Sequence, residues 1–406
     1  MNTRKTIRDG EFITLIAFLM AMVAFAINMI LPAFKDMTKD LGLNNETHIQ
    51  LSVSLLYLGL AIGQVFYGAL SDNTGRKRSI YIGLLLFMGG CLISFVAPNL
   101  TILIIGQIVQ GMGLGAPRVV TMAIVRDNYS GNAMGRVMSF IMMIFILVPT
   151  ISPYLGQSII LLTHWRVLFL VFIGLAVGML LWLKIRLPES LDQSQRTSFS
   201  LSQVYKTILF ILKTPAALGY TVVLGLFSSA FIAYLNMSQQ VFQIQYDLGK
   251  QYPLYFALLS LSIGLASFTN GKWVLRYGME KLSKVALIAT CTIAIPTFLW
   301  IWFTATQPPF GFLMFFMTIV LYCFGILVGN LNSLAMKPLG HVAGTGAAIV
   351  GALSTLVSVP FAIWIGSYYA GSILPLVGGF ALFGSLSLAL FLKITSLKQT
   401  LDYHPH

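Results

Sequence analysis

One charged residue, Arg118, lies in the interior of a long apolar stretch of this 406-residue chain, the run 101–125. None of the twelve Asp and Glu residues lies inside such a stretch. A membrane protein tolerates an intramembrane ion only where it is paired, hydrated or used. A guanidinium offers a planar fork of donors to a carboxylate or phosphate. The sequence therefore predicts an anion-binding group at Arg118, with snorkelling to the inner headgroups as the alternative.

The residue types that carry out enzyme chemistry are not arranged for it. The sequence contains no metal-ligand cluster, no nucleophile with a base, no carboxylate pair and no Walker-type glycine loop. Cys91, Cys291 and Cys323 fall in separate apolar runs, which predicts neither a disulfide framework nor a metal site. We therefore expect a protein that is not an enzyme and uses no cofactor or metal.

The elements that position Arg118 are membrane spans. The chain is 57% hydrophobic and 9% charged, with a mean hydropathy of +0.85, whereas soluble domains are about 25% charged. A helix crosses the hydrocarbon core with about 20 apolar residues. Twelve such runs are predicted at 12–34, 48–70, 79–97, 101–125, 137–161, 166–185, 216–236, 253–270, 284–305, 310–335, 344–369 and 374–393.

The net charge of +13 follows from membrane topology. If the N-terminus is cytoplasmic, 20 of the 25 Lys and Arg residues fall on the inner face and four on the outer face, with Arg118 between. This distribution obeys the positive-inside rule. It predicts two cytoplasmic termini in a bacterial-type inner membrane and no nucleic-acid partner.

The longest polar interruption, 188–213, divides the spans into two sets of six. We interpret it as a cytoplasmic linker between an N-terminal bundle (1–187) and a C-terminal bundle (214–406). Leu201, Val204, Ile208 and Ile211 recur at helical spacing, as in a helix lying on the inner membrane surface. A parallel repeat of this kind predicts substrate binding near mid-membrane, between the halves.

The loop after the second span reads GALSDNTGRKR, from Gly68 to Arg78, and resembles the signature of the major facilitator superfamily. Gly68 would let helices approach closely, and Gly75 would permit a tight turn. The resemblance implies a cytoplasmic gate in which Asp72 accepts hydrogen bonds from the helix start at Thr345. For Arg76 and its basic neighbours, a role in topology alone is the alternative.

Within that superfamily, residues 20–190 resemble the drug/proton antiporters of the bicyclomycin-resistance subgroup. The matching stretches include those around Asn28, Gln107, Asp127, Pro153 and Gly156. Pro153 and Gly156 match part of the antiporter motif of the fifth helix, and the alternative for this pair is a packing kink. The resemblance adds Asp127, Pro153 and Gly156 to the residues implied in gating.

The chain departs from the subgroup at the positions that carry protons. Asn28 stands where the subgroup usually has Asp, and Gln107 stands where it has Arg. Both amides can still hydrogen-bond across helices, but neither titrates, so proton coupling by an intramembrane carboxylate is not expected. Arg118 follows Gln107 by 11 residues, which at 100° per residue leaves the two about 20° apart on the helix.

The polar and aromatic residues of the spans complete the candidate substrate site. For each single aromatic, a core or lipid-facing position is the alternative. The candidates, with Arg118, are Asn28, Tyr57, Gln107, Phe227, Phe231, Tyr234, Asn330 and Asn332.

These observations predict an all-α membrane protein of twelve transmembrane helices in two six-helix bundles. We expect a monomer in the lipid bilayer that transports a small molecule by alternating access. The residues favour an organic anion or polycarboxylate bound by Arg118, whereas the resemblance favours proton-coupled multidrug efflux. A non-transporting membrane receptor or scaffold is the alternative of a different class.

Overall fold

The computed structural model describes residues 8–44, 46–129, 137, 141, 148, 151–196 and 201–402. These residues form helices and connecting turns, with no β-strand among them. The chain divides into two compact units, unit 1 (Met1–Tyr205) and unit 2 (Lys206–His406). In the described part, eleven helices are long and apolar enough to cross a membrane, and Ile151–Leu162 is a shorter apolar helix. The all-α, twelve-helix prediction is confirmed.

Unit 1 contains the first six predicted spans. The part of the fifth predicted span that precedes Ile151 lies mostly outside the described residues. The helices are α1 (Asp9–Asn28), α2 (Phe34–Asp40), α3 (Gln50–Thr74), α4 (Arg76–Phe95), α5 (Leu100–Asn128), α6 (Ile151–Leu162) and α7 (Val167–Arg186).

The first apolar run is interrupted near its end. A short 3₁₀ turn, Leu31–Ala33, separates α1 from α2 and contains Pro32. Proline has no backbone N–H and cannot continue the hydrogen-bond ladder of a helix. The predicted span 12–34 is therefore a helix to Asn28, a turn and the beginning of α2.

Helix α5 packs against α3 and α4 with backbone touching backbone. A Cβ added at Gly63 of α3 would lie 2.2 Å from the carbonyl oxygen of Met112, and one added at Gly111 would lie 2.0 Å from that of Leu56. Gly113 meets the backbone of α4 in the same way. Small residues allow this approach in membrane helices. The glycines thus determine the position of the helix that carries Gln107 and Arg118.

Unit 2 contains most of α8 and the last six spans. The amphipathic helix predicted in the linker is α8, in which Val204 and Ile211 are buried. Helix α9 ends in a π-helical turn, Gln240–Gln245. The helices are α8 (Leu201–Lys213), α9 (Pro215–Gln239), α10 (Tyr252–Tyr277), α11 (Met279–Thr304), α12 (Phe310–Met336), α13 (Ala343–Ser367) and α14 (Leu374–Asp402).

Candidate functional site

Three of the residues implied in gating meet at one end of unit 1. The Arg76 guanidinium is almost fully buried, pairs with the Asp72 carboxylate, and donates from Nε to Asp127 Oδ2 at 2.9 Å. It also donates to Ser71 Oγ at 2.9 Å. A buried guanidinium needs such partners because its desolvation is costly. Arg76 therefore has a structural role in addition to any effect on topology.

Glu189 joins this network and was not predicted from the sequence. Its carboxylate accepts the backbone N–H groups of Arg76 at 2.8 Å and of Lys77 at 3.1 Å, the first two residues of α4. An anion at a helix N-terminus satisfies free donors and interacts favourably with the helix dipole. Gly75 permits the contact: its φ is +98°, and a Cβ there would lie 2.7 Å from Glu189 Oε2.

The end of α7 and the first residues of the linker are held by α4 and α5 beside Glu189. Lys77 Nζ donates to the carbonyl oxygens of Leu187 at 2.7 Å and Lys184 at 3.2 Å. The Ser190 hydroxyl donates to Asp127 Oδ2 at 3.0 Å. The segment after α7 is thereby attached to α4 and α5 at the same place as Arg76.

The remaining gating candidates lie in three helices. Gly68 is buried in α3, and Pro153 is buried in α6. Thr345 lies in the first turn of α13, in unit 2. Asp72 is bound by Arg76 within unit 1, and the bond to the helix start at Thr345 stays a prediction. Gly156 has a clear packing role, since a Cβ there would lie 2.1 Å from the Met29 carbonyl oxygen, adjacent to Asn28.

The two amides that replace an acid and an arginine are buried. The Asn28 amide donates to the Ala24 carbonyl oxygen of its own helix at 2.7 Å, and its Oδ1 has no hydrogen-bond partner among the described residues. Gln107 is completely buried, and neither polar atom of its amide has a hydrogen-bond partner there. The described residues therefore show no hydrogen bond across helices from either amide. Gln110, one turn further, does make one, to Ser94 Oγ at 2.8 Å.

Arg118 lies about two-thirds of the way along α5. Helix rise places it about 15 Å from the Asn128 end and about 27 Å from the Leu100 end. The side chain is partly exposed, unlike that of Gln107. Tyr57 of α3, also partly exposed, lies within electrostatic range of the guanidinium. The structure thus brings together two of the predicted substrate residues of unit 1.

Asp9 and Glu11, in the first turn of α1, are bound by side chains from other parts of unit 1. Arg186 binds both oxygens of Glu11, from Nε and Nη2, each at 2.5 Å, and Trp182 donates to Glu11 at 3.3 Å. The hydroxyl of Tyr129 donates to Asp9 at 2.7 Å. Burial, with this hydrogen bond and the charge of Asp9, raises the pKa of Tyr129 to about 12.

The three predicted aromatic residues of α9 form a continuous series inside unit 2. Phe231 stacks on Phe324 of α12 with ring centroids 4.0 Å apart, and Phe227 stacks on the same ring at 6.2 Å. Tyr234 stacks on Phe256 of α10 at 5.9 Å. Phe227 and Tyr234 are buried, as a core role requires. The Tyr234 hydroxyl is also buried and has no hydrogen-bond partner in the described part of the chain.

The two predicted asparagines of α12 have different surroundings. Asn330 is buried and exchanges two amide hydrogen bonds with Asn270 of α10, each 2.9 Å long. This reciprocal pair joins two helices. Asn332 is exposed. Asn330 therefore joins two helices in the interior of unit 2, whereas Asn332 lies on its surface. The contributions of Phe324, Phe256 and Asn270 were missed because no local pattern distinguishes them from other residues of the spans.

The fold and these sites define a polytopic, all-helical membrane protein. The sequence model of the Major Facilitator Superfamily matches residues 15–362. The chain belongs to this superfamily and is a membrane transporter.

Similar proteins agree with this assignment. The chain is 30% identical over 348 residues to an uncharacterized MFS-type transporter, YdgK, of Bacillus subtilis, covering 84% of this chain and 86% of that protein. It is 29% identical over 296 residues to the bicyclomycin resistance protein homolog of Haemophilus influenzae, covering 71% and 72%. The xylose transporter XylE from E. coli, in a partially occluded inward-open conformation, has the same fold, with a TM-score of 0.74, 14% identity and coverage of 95% and 97%. The predicted resemblance to the drug/proton antiporter subgroup is confirmed.

Proposed function

We propose that this transporter carries a small organic anion by alternating access and that Arg118 binds its carboxylate or phosphate group. The position of Arg118 carries the proposal. A charged side chain at the centre of a membrane helix costs roughly 2.5 to 3.5 kcal/mol on insertion scales, and Arg118 lies about 15 Å inside the nearer end of α5. Use in substrate binding is one of the few reasons to retain it.

The surroundings of Arg118 favour a bound anion. Arg118 is partly exposed as a whole residue, whereas Gln107 on the same helix is completely buried. The nearby Tyr57 hydroxyl can donate a further hydrogen bond to the same anion. A charge-assisted hydrogen bond is about twice as strong as a neutral one, and Arg binds planar anions with two such bonds. The two side chains would together orient a carboxylate.

The distribution of acids supports uniport or exchange over proton coupling. Asn28 and Gln107 cannot titrate, and Glu11 is held by Arg186 near the helix ends. A carboxylate that carries protons must change its ionisation during transport. The predicted interior of each span contains no such group.

Efflux of amphipathic drugs is the second candidate. The bicyclomycin resistance protein homolog of H. influenzae and the multidrug resistance protein D of E. coli, by their names, act in drug resistance. Of the aromatic series of α9, Phe231 is partly exposed and can offer a ring face to an apolar molecule, whereas Phe227 and Tyr234 belong to the core.

A ligand screen distinguishes the two candidates. Purified protein is heated with amphiphiles that share one apolar body and carry a carboxylate, a neutral amide or an amine. Because a ligand of the folded state raises its stability by mass action, the carboxylate should raise the Tm most. Arg118→Ala should weaken its binding about 10- to 160-fold, the loss of a charged hydrogen-bond partner, and Arg118→Lys should have an intermediate effect.

Arg126→Ala is the matched control. Arg126 is exposed at the end of the same helix, so its replacement should leave carboxylate binding near the wild-type level. If Arg118→Ala folds normally and binds the carboxylate as tightly as wild type, the anion proposal is wrong. Preferential stabilisation by the neutral or cationic amphiphile would favour drug efflux.

A further inference from the structure

Four lysines from neighbouring helices surround a cavity at one end of unit 2. The cavity has a volume of about 1070 Å³ and lies among the ends of α10, α11, α12 and α14. All four lysines are exposed. Lys281 and Lys284 belong to α11, Lys337 follows α12, and Lys393 belongs to α14. We refer to this cavity as the lysine pocket.

The lysine pocket has an excess of positive charge. Glu280 is the one acidic residue in its described lining. No ion pair in the described part of the chain involves any of the four lysines. The Lys281 ammonium lies 5.5 Å from the centroid of the Tyr277 ring, which holds it at the pocket. Because like charges repel, an anion between the lysines would stabilise their arrangement.

The lining of the lysine pocket is also partly apolar. Leu334, Phe391 and Leu392 contribute to it beside the lysines. The apolar spans Met279–Thr304, Phe310–Leu339 and Leu374–Ser396 each begin or end here. The pocket therefore lies where membrane-crossing helices emerge, on the face that the distribution of Lys and Arg predicts to be cytoplasmic. A ligand that matches the lining has an anionic head and an apolar body.

We propose that the lysine pocket binds an anionic phospholipid of the inner leaflet, with the phosphate between the lysines and the upper acyl chains against the apolar residues. Basic pockets between transmembrane helices on the cytoplasmic side suit anionic headgroups. Lysine binds phosphate as a compact point charge. The volume, about 1070 Å³, slightly exceeds the usual range for small-ligand sites, about 300 to 1,000 Å³, and thus accommodates a headgroup with part of its chains.

Lipid retention by the purified full-length protein tests the proposal. Protein in a neutral detergent is titrated with phosphatidylglycerol or phosphatidylcholine, and bound lipid is counted by native mass spectrometry. Wild type should bind one phosphatidylglycerol in preference to phosphatidylcholine. The triple variant Lys284→Gln, Lys337→Gln, Lys393→Gln should bind it about 100-fold more weakly, since each basic residue near a membrane surface contributes about five-fold.

The control removes the same charge elsewhere in unit 2. Lys206→Gln, Lys213→Gln, Lys272→Gln alters three exposed lysines that do not line the pocket, and its affinity should stay within about two-fold of wild type. Glu280→Gln should tighten binding, and the three Lys→Arg replacements in the pocket should preserve it.

Three results would overturn the proposal. Equal losses in the two triple variants would mean that lipid is attracted by the whole basic face. Equal retention of phosphatidylcholine would remove the requirement for an anionic head. Displacement of phosphatidylglycerol by millimolar inorganic phosphate or glycerol phosphate would assign the pocket to a soluble phosphate. Circular dichroism of each variant confirms that it has folded.

Discussion

At Asn28 and Gln107 this chain has amides where the antiporters that it resembles usually have an acid and an arginine. Both side chains are buried, and Gln107 has no hydrogen-bond partner among the described residues. An unsatisfied buried amide costs about 1 to 3 kcal/mol. A pair of neutral groups avoids the much larger cost of a buried charge. At the scale of single residues, the resemblance therefore implies a polar but uncharged site where the subgroup carries protons.

Asn28→Asp should restore a titratable group and make the folded protein sensitive to pH. The carboxyl would enter a site that is 5% exposed, where its ionised form is disfavoured. The neutral acid is tolerated, so stability should fall as pH rises from about 4 to about 6.5, by up to about 2.5 to 3.5 kcal/mol for the charged form. Thermal unfolding followed across this pH range measures the effect.

Asn99→Asp is the control for this substitution. Asn99 is exposed and caps α5 by accepting the Ile102 N–H at 3.0 Å. Aspartate caps a helix as well as asparagine does, so this variant should show the wild-type pH dependence. An Asn28→Asp variant with the same pH profile would mean that position 28 is hydrated.

Helix α5 carries the candidate anion site, and its position depends on glycine. Gly63, Gly111 and Gly113 remove the side chains that would otherwise separate α5 from α3 and α4. The same helix presents Arg118 toward Tyr57. At the scale of elements, close packing and the geometry of the site therefore have a common origin, and a change in helix spacing would displace Arg118.

Gly111→Ala should destabilise unit 1. The added methyl group would lie 2.0 Å from the Leu56 carbonyl oxygen, which is backbone and cannot move aside without shifting α3. Overpacking of this kind costs about 1 to 3 kcal/mol. Gly174→Ala in α7 is the matched control, because a Cβ there meets nothing within 4 Å. Its Tm should equal or exceed that of wild type, since alanine favours helix by about 1 kcal/mol. Equal Tm values for Gly111→Ala and wild type would show that α3 and α5 separate freely.

The whole molecule is basic at its loops and nearly free of charge in its spans. The twelve acids lie outside the predicted apolar runs. The ion pairs of the described residues join groups at or near helix ends, as in Arg76 with Asp127 and Arg186 with Glu11. This distribution satisfies the low-dielectric interior of a bilayer. It also leaves the transport cycle without an evident carrier of protons.

Substrate flux through the reconstituted protein should therefore continue when the proton gradient is collapsed, provided that a substrate gradient remains. Proteoliposomes loaded with an organic anion identified by the ligand screen are assayed with and without a protonophore. Initial rates should agree within about two-fold once the membrane potential is clamped. Proton movement in fixed proportion to substrate would contradict the expectation and identify this protein as a coupled transporter.

Hydropathy and charge by themselves determined the spans, the helical class and the sidedness expected of the loops. Each of these depends on local composition: an apolar run of sufficient length must become a helix in lipid because its backbone groups have no other partner. The loop from Gly68 to Arg78 also pointed to the pairing of Arg76 with Asp72, since a motif preserves local spacing.

Tertiary structure decided which distant side chains meet. Glu189 binds the start of α4 across 113 residues, and Asn270 pairs with Asn330 across 60. Phe324 connects two rings of α9 from another helix. The sequence pattern around each of these residues is the same as around many others in the spans. Their partners depend on how helices pack, and packing is determined by the shapes of many residues at once.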